Sequence, residues 1–81
     1  MYLNNKYTKT YYNIVNRASQ RTLDGYTETH HIIPKSLGGE DTQKNLVVLT
    51  AREHFLCHWL LTRMVDNKRD QWSMINALGF M

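Results

Sequence analysis

Residues 28–58, ETHHIIPKSLGGEDTQKNLVVLTAREHFLCH, contain all four histidines of the 81-residue chain. Two of the histidines are adjacent, at positions 30 and 31, and two are four residues apart, at positions 54 and 58. Imidazole is both a common metal ligand and a common acid–base group at neutral pH. The concentration of every imidazole in one stretch therefore predicts a functional site, and the elements of that stretch define the fold around it.

The stretch is predicted to contain two short strands separated by a long loop. Tyr26 to Ile33 is rich in aromatic and β-branched residues, and Pro34 ends this run because it lacks a backbone donor. The loop runs from Pro34 to Asn45 and is tightest at Gly38-Gly39. The second strand is Leu46 to Leu49. A loop of this length in a small domain is typically functional.

A helix is predicted to follow the second strand. Thr50 precedes Glu53 by three residues, which is the pattern of a capping box and predicts a helix from about Ala51 to Val65. A shorter helix, from Asp70 to Leu78, is expected to pack its apolar side chains onto the rest of the domain.

Another helix is predicted before the histidine-rich stretch, over residues 7–20, with Thr8 as its N-cap and a stop at Leu23-Asp24-Gly25. Its apolar side chains follow helical spacing and form one inward-facing stripe. The members of this stripe are Tyr7, Tyr11, Ile14, Val15 and Ala18.

The composition limits the class of protein. Hydrophobic residues make up 42% of the chain and charged residues 21%, as in ordinary soluble domains, and the length allows one domain. No apolar run approaches the roughly 20 residues that span a membrane, so we expect a cytoplasmic protein. The net charge of +3 suits a polyanionic partner, although a solvated basic surface accounts for it equally well. Cys57 is the single cysteine, which leaves the histidines as the main candidate metal ligands.

His54 and His58 lie one helical turn apart in the predicted helix. Their Cβ atoms are therefore expected roughly 5 to 6 Å apart, which allows both imidazoles to bind one metal ion. Taken alone, this spacing also fits two histidines that are merely satisfied by hydrogen bonds. The surrounding helix is apolar, however, and polar groups within such a surface need partners, which favours a metal.

His30 and His31 are expected to point to opposite sides of the first strand. One imidazole is then free to face a metal while its neighbour faces a water molecule. A neutral histidine can accept a proton from that water. The pair thus predicts a division between metal ligand and general base, with two ordinary surface histidines as the alternative.

Three segments carry a resemblance to a known family: HHIIPKSLGG, then Asn45 opening NLVVLT, then AREHFLCH. Together they resemble the HNH endonucleases of the ββα-metal class, and residues Arg21 to Met64 look most like the homing-type members found in bacteriophages. The resemblance implies an α+β fold in which a two-stranded antiparallel hairpin with a long loop packs on a helix. It further implies a single HNH domain over residues 1–81, with a core motif at 26–65 and a flanking helix at each end.

The resemblance also implies roles for five residues. His30 and His54 fall on metal ligands, and His58 falls where some members place another helix ligand. His31 falls on the general base, and Asn45 falls on the asparagine that braces the loop or orients the base.

The implied activity is hydrolysis of DNA phosphodiester bonds around one divalent ion, in the cytoplasm of a bacterial host if the chain is phage-encoded. Imidazole ligands favour Zn²⁺ or Ni²⁺ in affinity, whereas Mg²⁺ prefers oxygen ligands. The ion that supports turnover is left open among Zn²⁺, Mg²⁺, Mn²⁺ and Ni²⁺. The alternative is an inactive nucleic-acid-binding module in which the metal site is structural. The resemblance leaves two further alternatives open. The chain acts as a homodimer, or a DNA-recognition region is missing from this sequence.

Several charged side chains are expected to bind DNA or to support the site. Candidate contacts to DNA phosphates are Lys35, Lys44, Arg52, Arg17 and Arg21. Glu28 is expected on the same strand face as His30. It is predicted first as a salt-bridge partner of Arg52 and second as a hydrogen-bond acceptor for a metal ligand.

Overall fold

The computed structural model describes residues 2–65, and these form a helix, a strand, a long loop, a strand and a helix. The elements are α1 (Lys6–Ser19), β1 (Glu28–His31), β2 (Leu46–Leu49) and α2 (Ala51–Met64). The α+β prediction is confirmed, including the helix that precedes the hairpin. The helix predicted from Asp70 to Leu78 lies outside the described residues. No helix within residues 2–65 is long and apolar enough to cross a membrane.

Helix α1 buries the predicted stripe but begins earlier than predicted. Tyr11, Val15 and Ala18 are buried against the rest of the domain. The N-cap is Asn5, whose side-chain oxygen accepts from the backbone N–H of Thr8 at 3.0 Å. The prediction of Thr8 as N-cap was wrong because the Thr8 hydroxyl instead donates to the carbonyl of Leu3.

Strands β1 and β2 pair in antiparallel register, with His30 opposite Val47 and His31 opposite Leu46. Strand β1 is shorter than the predicted span from Tyr26 to Ile33, and its regular pairing covers Glu28–His31 alone. Tyr26 is 74% exposed and follows the turn at Gly25, which has a φ of 83°. The exposed Tyr26 thus lies before the strand, and only residues 28–31 pair with β2.

The loop between the strands contains two 3₁₀ turns, Lys35–Leu37 and Gln43–Asn45. The amide of Asn45 closes this loop from inside, since its side-chain oxygen accepts from the N–H of Ile33 at 2.8 Å and its nitrogen donates to the carbonyls of Ile33 and Glu40. Gly39 lies against the carbonyl of Ile33. A Cβ at position 39 would lie 1.7 Å from the Ile33 oxygen.

Helix α2 starts with the predicted capping box. The Thr50 hydroxyl accepts from the N–H of Glu53 at 3.2 Å, and the Glu53 carboxylate accepts from the N–H of Thr50 at 2.9 Å. The helix ends at Met64, one residue before the predicted end, and Val65 pairs with Tyr2 in an isolated bridge. Both helices and strand β2 contribute to one core, whose buried members are Tyr11, Val15, Ala18, Val47, Leu49, Cys57, Leu60, Leu61, Met64 and Val65.

We expect Gly39→Ala to lower the free energy of unfolding by about 3 kcal/mol, because the added methyl group meets a fixed backbone oxygen. Gly38→Ala is the matched control. Position 38 has a φ of 92° but open space around its Cβ, so its loss is expected to be about 1 kcal/mol from backbone strain alone. Urea denaturation of both variants measures the difference. Equal losses would show that the close approach at position 39 relaxes freely.

Candidate metal and nuclease site

Three of the four histidines converge between the hairpin and helix α2. His30 extends inward from β1, and His54 and His58 extend from successive turns of α2. One candidate ligand atom from each imidazole lies within 4.8 Å of the others. His30 is 2% exposed, and its ring centroid lies 5.1 Å from that of His54 and 5.2 Å from that of His58. The sequence-predicted ligand set is thus brought to one place.

Hydrogen bonds leave one buried nitrogen of His30 without a partner in the described part of the chain. Its Nε2 lies 2.7 Å from the hydroxyl oxygen of Tyr11. Its Nδ1 is buried and has no hydrogen-bond partner within residues 2–65. A buried polar atom without a partner is costly, and a metal ion would satisfy this one.

His54 is held from the opposite side of its ring by Glu28. Its Nδ1 donates to a carboxylate oxygen of Glu28 at 2.7 Å, so its Nε2 is the nitrogen left for the site. The predicted ion pair between Glu28 and Arg52 was wrong, since the ionic partner of Glu28 is His54, at 2.7 Å. Glu28 has instead its second predicted role, as the hydrogen-bond acceptor for a candidate metal ligand. A carboxylate behind a ligating imidazole fixes its orientation and increases its basicity.

The distance between the two helix histidines suits a shared ion. The Nε2 atoms of His54 and His58 lie 3.2 Å apart. Two nitrogens that bind one ion tetrahedrally at about 2.0–2.1 Å are separated by roughly 3.4 Å. The same spacing also allows one proton to be shared when no ion is bound. The second nitrogen of His58, Nδ1, is buried with no hydrogen-bond partner in the described part of the chain.

The protonation of the cluster favours metal binding. Burial, and then the neighbouring imidazoles of His58 and His54, lower the pKa of His30 to about 3. Burial and the imidazole of His54 lower the pKa of His58 to about 4. Both rings are therefore neutral at pH 7, as nitrogen ligands must be. Cys57 does not join them, because it lies in the apolar core and burial raises its thiol pKa to about 12.

His31 lies outside this cluster and has its own partner. Its Nε2 is 2.9 Å from a carboxylate oxygen of Asp41, across the loop. The hydrogen bond from His31, followed by the charge of Lys35 3.8 Å away, lowers the pKa of Asp41. The carboxylate is therefore ionised at neutral pH. The alternation predicted for His30 and His31 is present, since one ring is buried in the cluster and the other is partly exposed beside the loop.

Of the five candidate DNA contacts, Arg21 is half-buried and the other four are exposed. Arg21 forms an ion pair with Glu53, which lowers the pKa of that carboxyl to about 2. Arg21 also lines a cleft of about 530 Å³, together with Lys44, beside the end of α1 and the hairpin. The exposed members are Lys35, Lys44, Arg52 and Arg17.

Two residues of the site were missed in the sequence. Tyr11 was assigned to the apolar stripe of α1, which is correct for its ring but does not account for its hydroxyl. Asp41 lies in the loop ten residues after His31, where nothing in the local pattern distinguishes it from Glu40. Both contacts join segments distant in sequence, so neither helical nor strand periodicity reveals them.

Comparison with known proteins identifies similar sequences. The chain is 52% identical over 66 residues to "Probable mobile endonuclease D" of Enterobacteria phage T4, an alignment that covers 75% of this chain and 26% of that protein. It is 51% identical over 63 residues to "Probable mobile endonuclease E" of the same phage, covering 76% of this chain and 45% of that protein. The chain thus spans less than half the length of either relative. No solved structure gives a significant match.

The matched family coincides with the site. The family model described as HNH endonuclease matches residues 19–59, a segment that contains all four histidines, Asn45, Glu28 and Asp41. This segment makes up half of the chain and includes both strands, the loop between them and the turns of α2 that carry His54 and His58. The chain therefore belongs to the HNH endonuclease family.

Proposed function

We propose that this chain is a metal-dependent DNA endonuclease domain that hydrolyses phosphodiester bonds. The observation that carries the proposal is the division of the histidines. Three converge, with one candidate ligand nitrogen each within 4.8 Å of the others, while the fourth, His31, lies outside the cluster with its own carboxylate partner. A purely structural metal site needs the first arrangement but not the second. The names of the phage T4 relatives support an endonuclease.

The residues that would hold a divalent ion are His30, His54 and His58. Their donor set is three neutral imidazoles, which favours Zn²⁺ or Ni²⁺ over Mg²⁺ in affinity. When bound, the ion supplies positive charge that stabilises the charge developing on the phosphate and on the leaving 3′ oxygen. A site with three protein ligands also leaves coordination positions open for substrate, as catalytic sites require.

His31 is proposed as the general base. Because its Nε2–H donates to Asp41, the lone pair of its Nδ1 is available to accept a proton from the attacking water. The ionised carboxylate of Asp41 would then stabilise the imidazolium that forms, and it holds the ring in one tautomer. As the water gives its proton to Nδ1 of His31, its oxygen attacks the phosphorus atom of the DNA backbone, and the bond from that phosphorus to the leaving 3′ oxygen breaks.

Asn45 is proposed as a positioning residue. Its amide donates to the carbonyl of Glu40 at 2.8 Å and bonds both backbone groups of Ile33. Glu40 directly precedes Asp41, the partner of His31. Asn45 would therefore hold the loop segment that carries the base's partner, without itself touching the substrate.

DNA is the proposed substrate, with the exposed basic side chains as its backbone contacts. Lys35, Lys44, Arg52 and Arg17 are exposed, in agreement with such a role. We assign Arg21 a smaller share of phosphate binding because Glu53 already neutralises its charge. The relatives come from a phage, which supports action in the cytoplasm of a bacterial host.

An inactive nucleic-acid-binding module is the alternative function. It would use the three inward histidines only to tie the hairpin to α2. The pairing of His31 with Asp41 favours catalysis, because that pair contributes nothing to a structural metal site.

The activity test is nicking of supercoiled plasmid DNA in the presence of Zn²⁺, Ni²⁺, Mn²⁺ or Mg²⁺. We expect the parent protein to nick with at least one of these ions and His31→Ala to reduce the rate by about 10²- to 10⁴-fold, the usual share of a general base. The variant should keep its fold and its affinity for DNA, measured by circular dichroism and electrophoretic mobility shift. Parental activity in His31→Ala would exclude it as the base, and absence of nicking with all four ions would favour the binding module.

Metal binding is tested by thermal unfolding with and without Zn²⁺. At a free concentration of 100 times the dissociation constant, binding stabilises the folded protein by about 2.7 kcal/mol. For a domain of this size the melting temperature should then rise by roughly 10 to 20 °C. We expect His54→Ala and His58→Ala to lose most of this rise and His31→Ala to retain it. A full rise in His58→Ala would remove that residue from the ligand set.

A further inference from the structure

Tyr11 connects helix α1 to the metal site from outside the matched family segment. It lies eight residues before that segment begins, in the middle of α1, and its side chain is fully buried. Its hydroxyl oxygen lies 2.6 Å from the carbonyl oxygen of Ile32 and 2.7 Å from Nε2 of His30. The two partners belong to one segment of chain, at the end of β1.

The number of protons in this contact fixes the state of the histidine. A phenol carries one proton, and the carbonyl of Ile32 can only accept, so the hydroxyl donates to Ile32. The hydroxyl oxygen must then accept the proton carried by Nε2 of His30. Neutral imidazole carries one proton in total. The other nitrogen, Nδ1, is therefore left with a free lone pair, and this is the buried atom that has no partner within residues 2–65.

We propose that Tyr11 is a positioning residue of the metal centre, which selects the Nε2–H tautomer of His30 and holds the ring with Nδ1 directed at the ion. This inference rests on the metal site proposed above. It assigns α1 a part in the site, in addition to its part in the core. Tyr11 would do for His30 what Glu28 does for His54, with a neutral hydroxyl in place of a carboxylate.

The neutral partner suits the position of His30. A carboxylate in place of the Tyr11 side chain would be buried in the hydrophobic core to which Tyr11 belongs, where an unpaired charge is costly. A phenol accepts from the ring without adding charge, and its own proton is satisfied by Ile32. Without the hydroxyl, Nε2–H of His30 would lose its acceptor, and the ring would gain by exchanging tautomers or turning over. Either change removes the lone pair from the site.

The test is Tyr11→Phe, which keeps the aromatic ring in the core and removes only the hydroxyl. Zn²⁺ affinity of the metal-free protein is measured by competition with a chromophoric chelator. We expect binding to weaken by about 10- to 100-fold, the usual effect of removing the partner behind a ligating histidine. Tyr12→Phe is the matched control. The Tyr12 ring packs against Tyr11 with ring centroids 5.3 Å apart, and Tyr12 makes no hydrogen bond or ring contact with the four histidines. The Zn²⁺ affinity of this variant should therefore match that of the parent protein.

A second measurement needs no variant. Long-range ¹H–¹⁵N correlation spectra of the metal-free parent protein distinguish the two neutral tautomers of His30. We expect the proton on Nε2, and a shift toward the Nδ1–H form in Tyr11→Phe.

The outcomes separate this inference from the proposed function. If the parent protein binds no Zn²⁺, the metal site itself is wrong. If the parent binds Zn²⁺ but Tyr11→Phe binds it within twofold, or if His30 carries its proton on Nδ1 in the parent, the role of Tyr11 is overturned and the metal site stands. A Tyr11→Phe variant that fails to fold leaves the tautomer of the parent protein to decide.

Discussion

The burial of His30 is the constraint on which the arrangement of this domain depends. Its imidazole is 2% exposed and lies opposite Val47 in the hairpin, where both ring nitrogens must find partners other than water. Tyr11 supplies one partner from α1. The ring of His30 also lies 5.1 Å and 5.2 Å, centroid to centroid, from those of His54 and His58 on α2. One polar side chain therefore sets the position of both helices relative to β1. An apolar residue at position 30 would allow the same layers to pack but would not specify these contacts.

The two-residue period of β1 separates the functions of the site. Glu28 and His30 share the inner face, so the carboxylate reaches His54 and the imidazole reaches the cluster. His31 lies on the other side, where it meets Asp41. Adjacent positions in sequence thus provide a candidate metal ligand and a candidate base in different environments, the first buried and neutral, the second partly exposed beside an ionised carboxylate. A helix does not give adjacent residues this opposition.

The parts that sequence predicted well depend on local patterns. The capping box at Thr50 and Glu53, the apolar run of β2 and the one-turn spacing of His54 and His58 each lie within a few residues, and the structure has all three. The errors concern choices that local pattern does not decide. Asn5 and Thr8 are both residue types that cap helices. Asn5 caps α1 because its side chain accepts from the N–H of Thr8, while the Thr8 hydroxyl donates to the carbonyl of Leu3. The partner of Glu28 was predicted wrongly because charge alone does not show which face of α2 meets the hairpin. His54 lies on that face, whereas Arg52, two residues earlier, is exposed.

The role of Glu53 shows how closely stability and the site are joined in so small a domain. Its carboxylate accepts from Thr50 at the start of α2 and also pairs with Arg21, in the segment that connects α1 to β1. These two interactions fix the first turn of the helix, and the next residue is His54. A side chain that would serve only as a helix cap in a larger protein thereby orients a candidate metal ligand. It also neutralises Arg21, the half-buried member of the five basic side chains proposed to contact DNA.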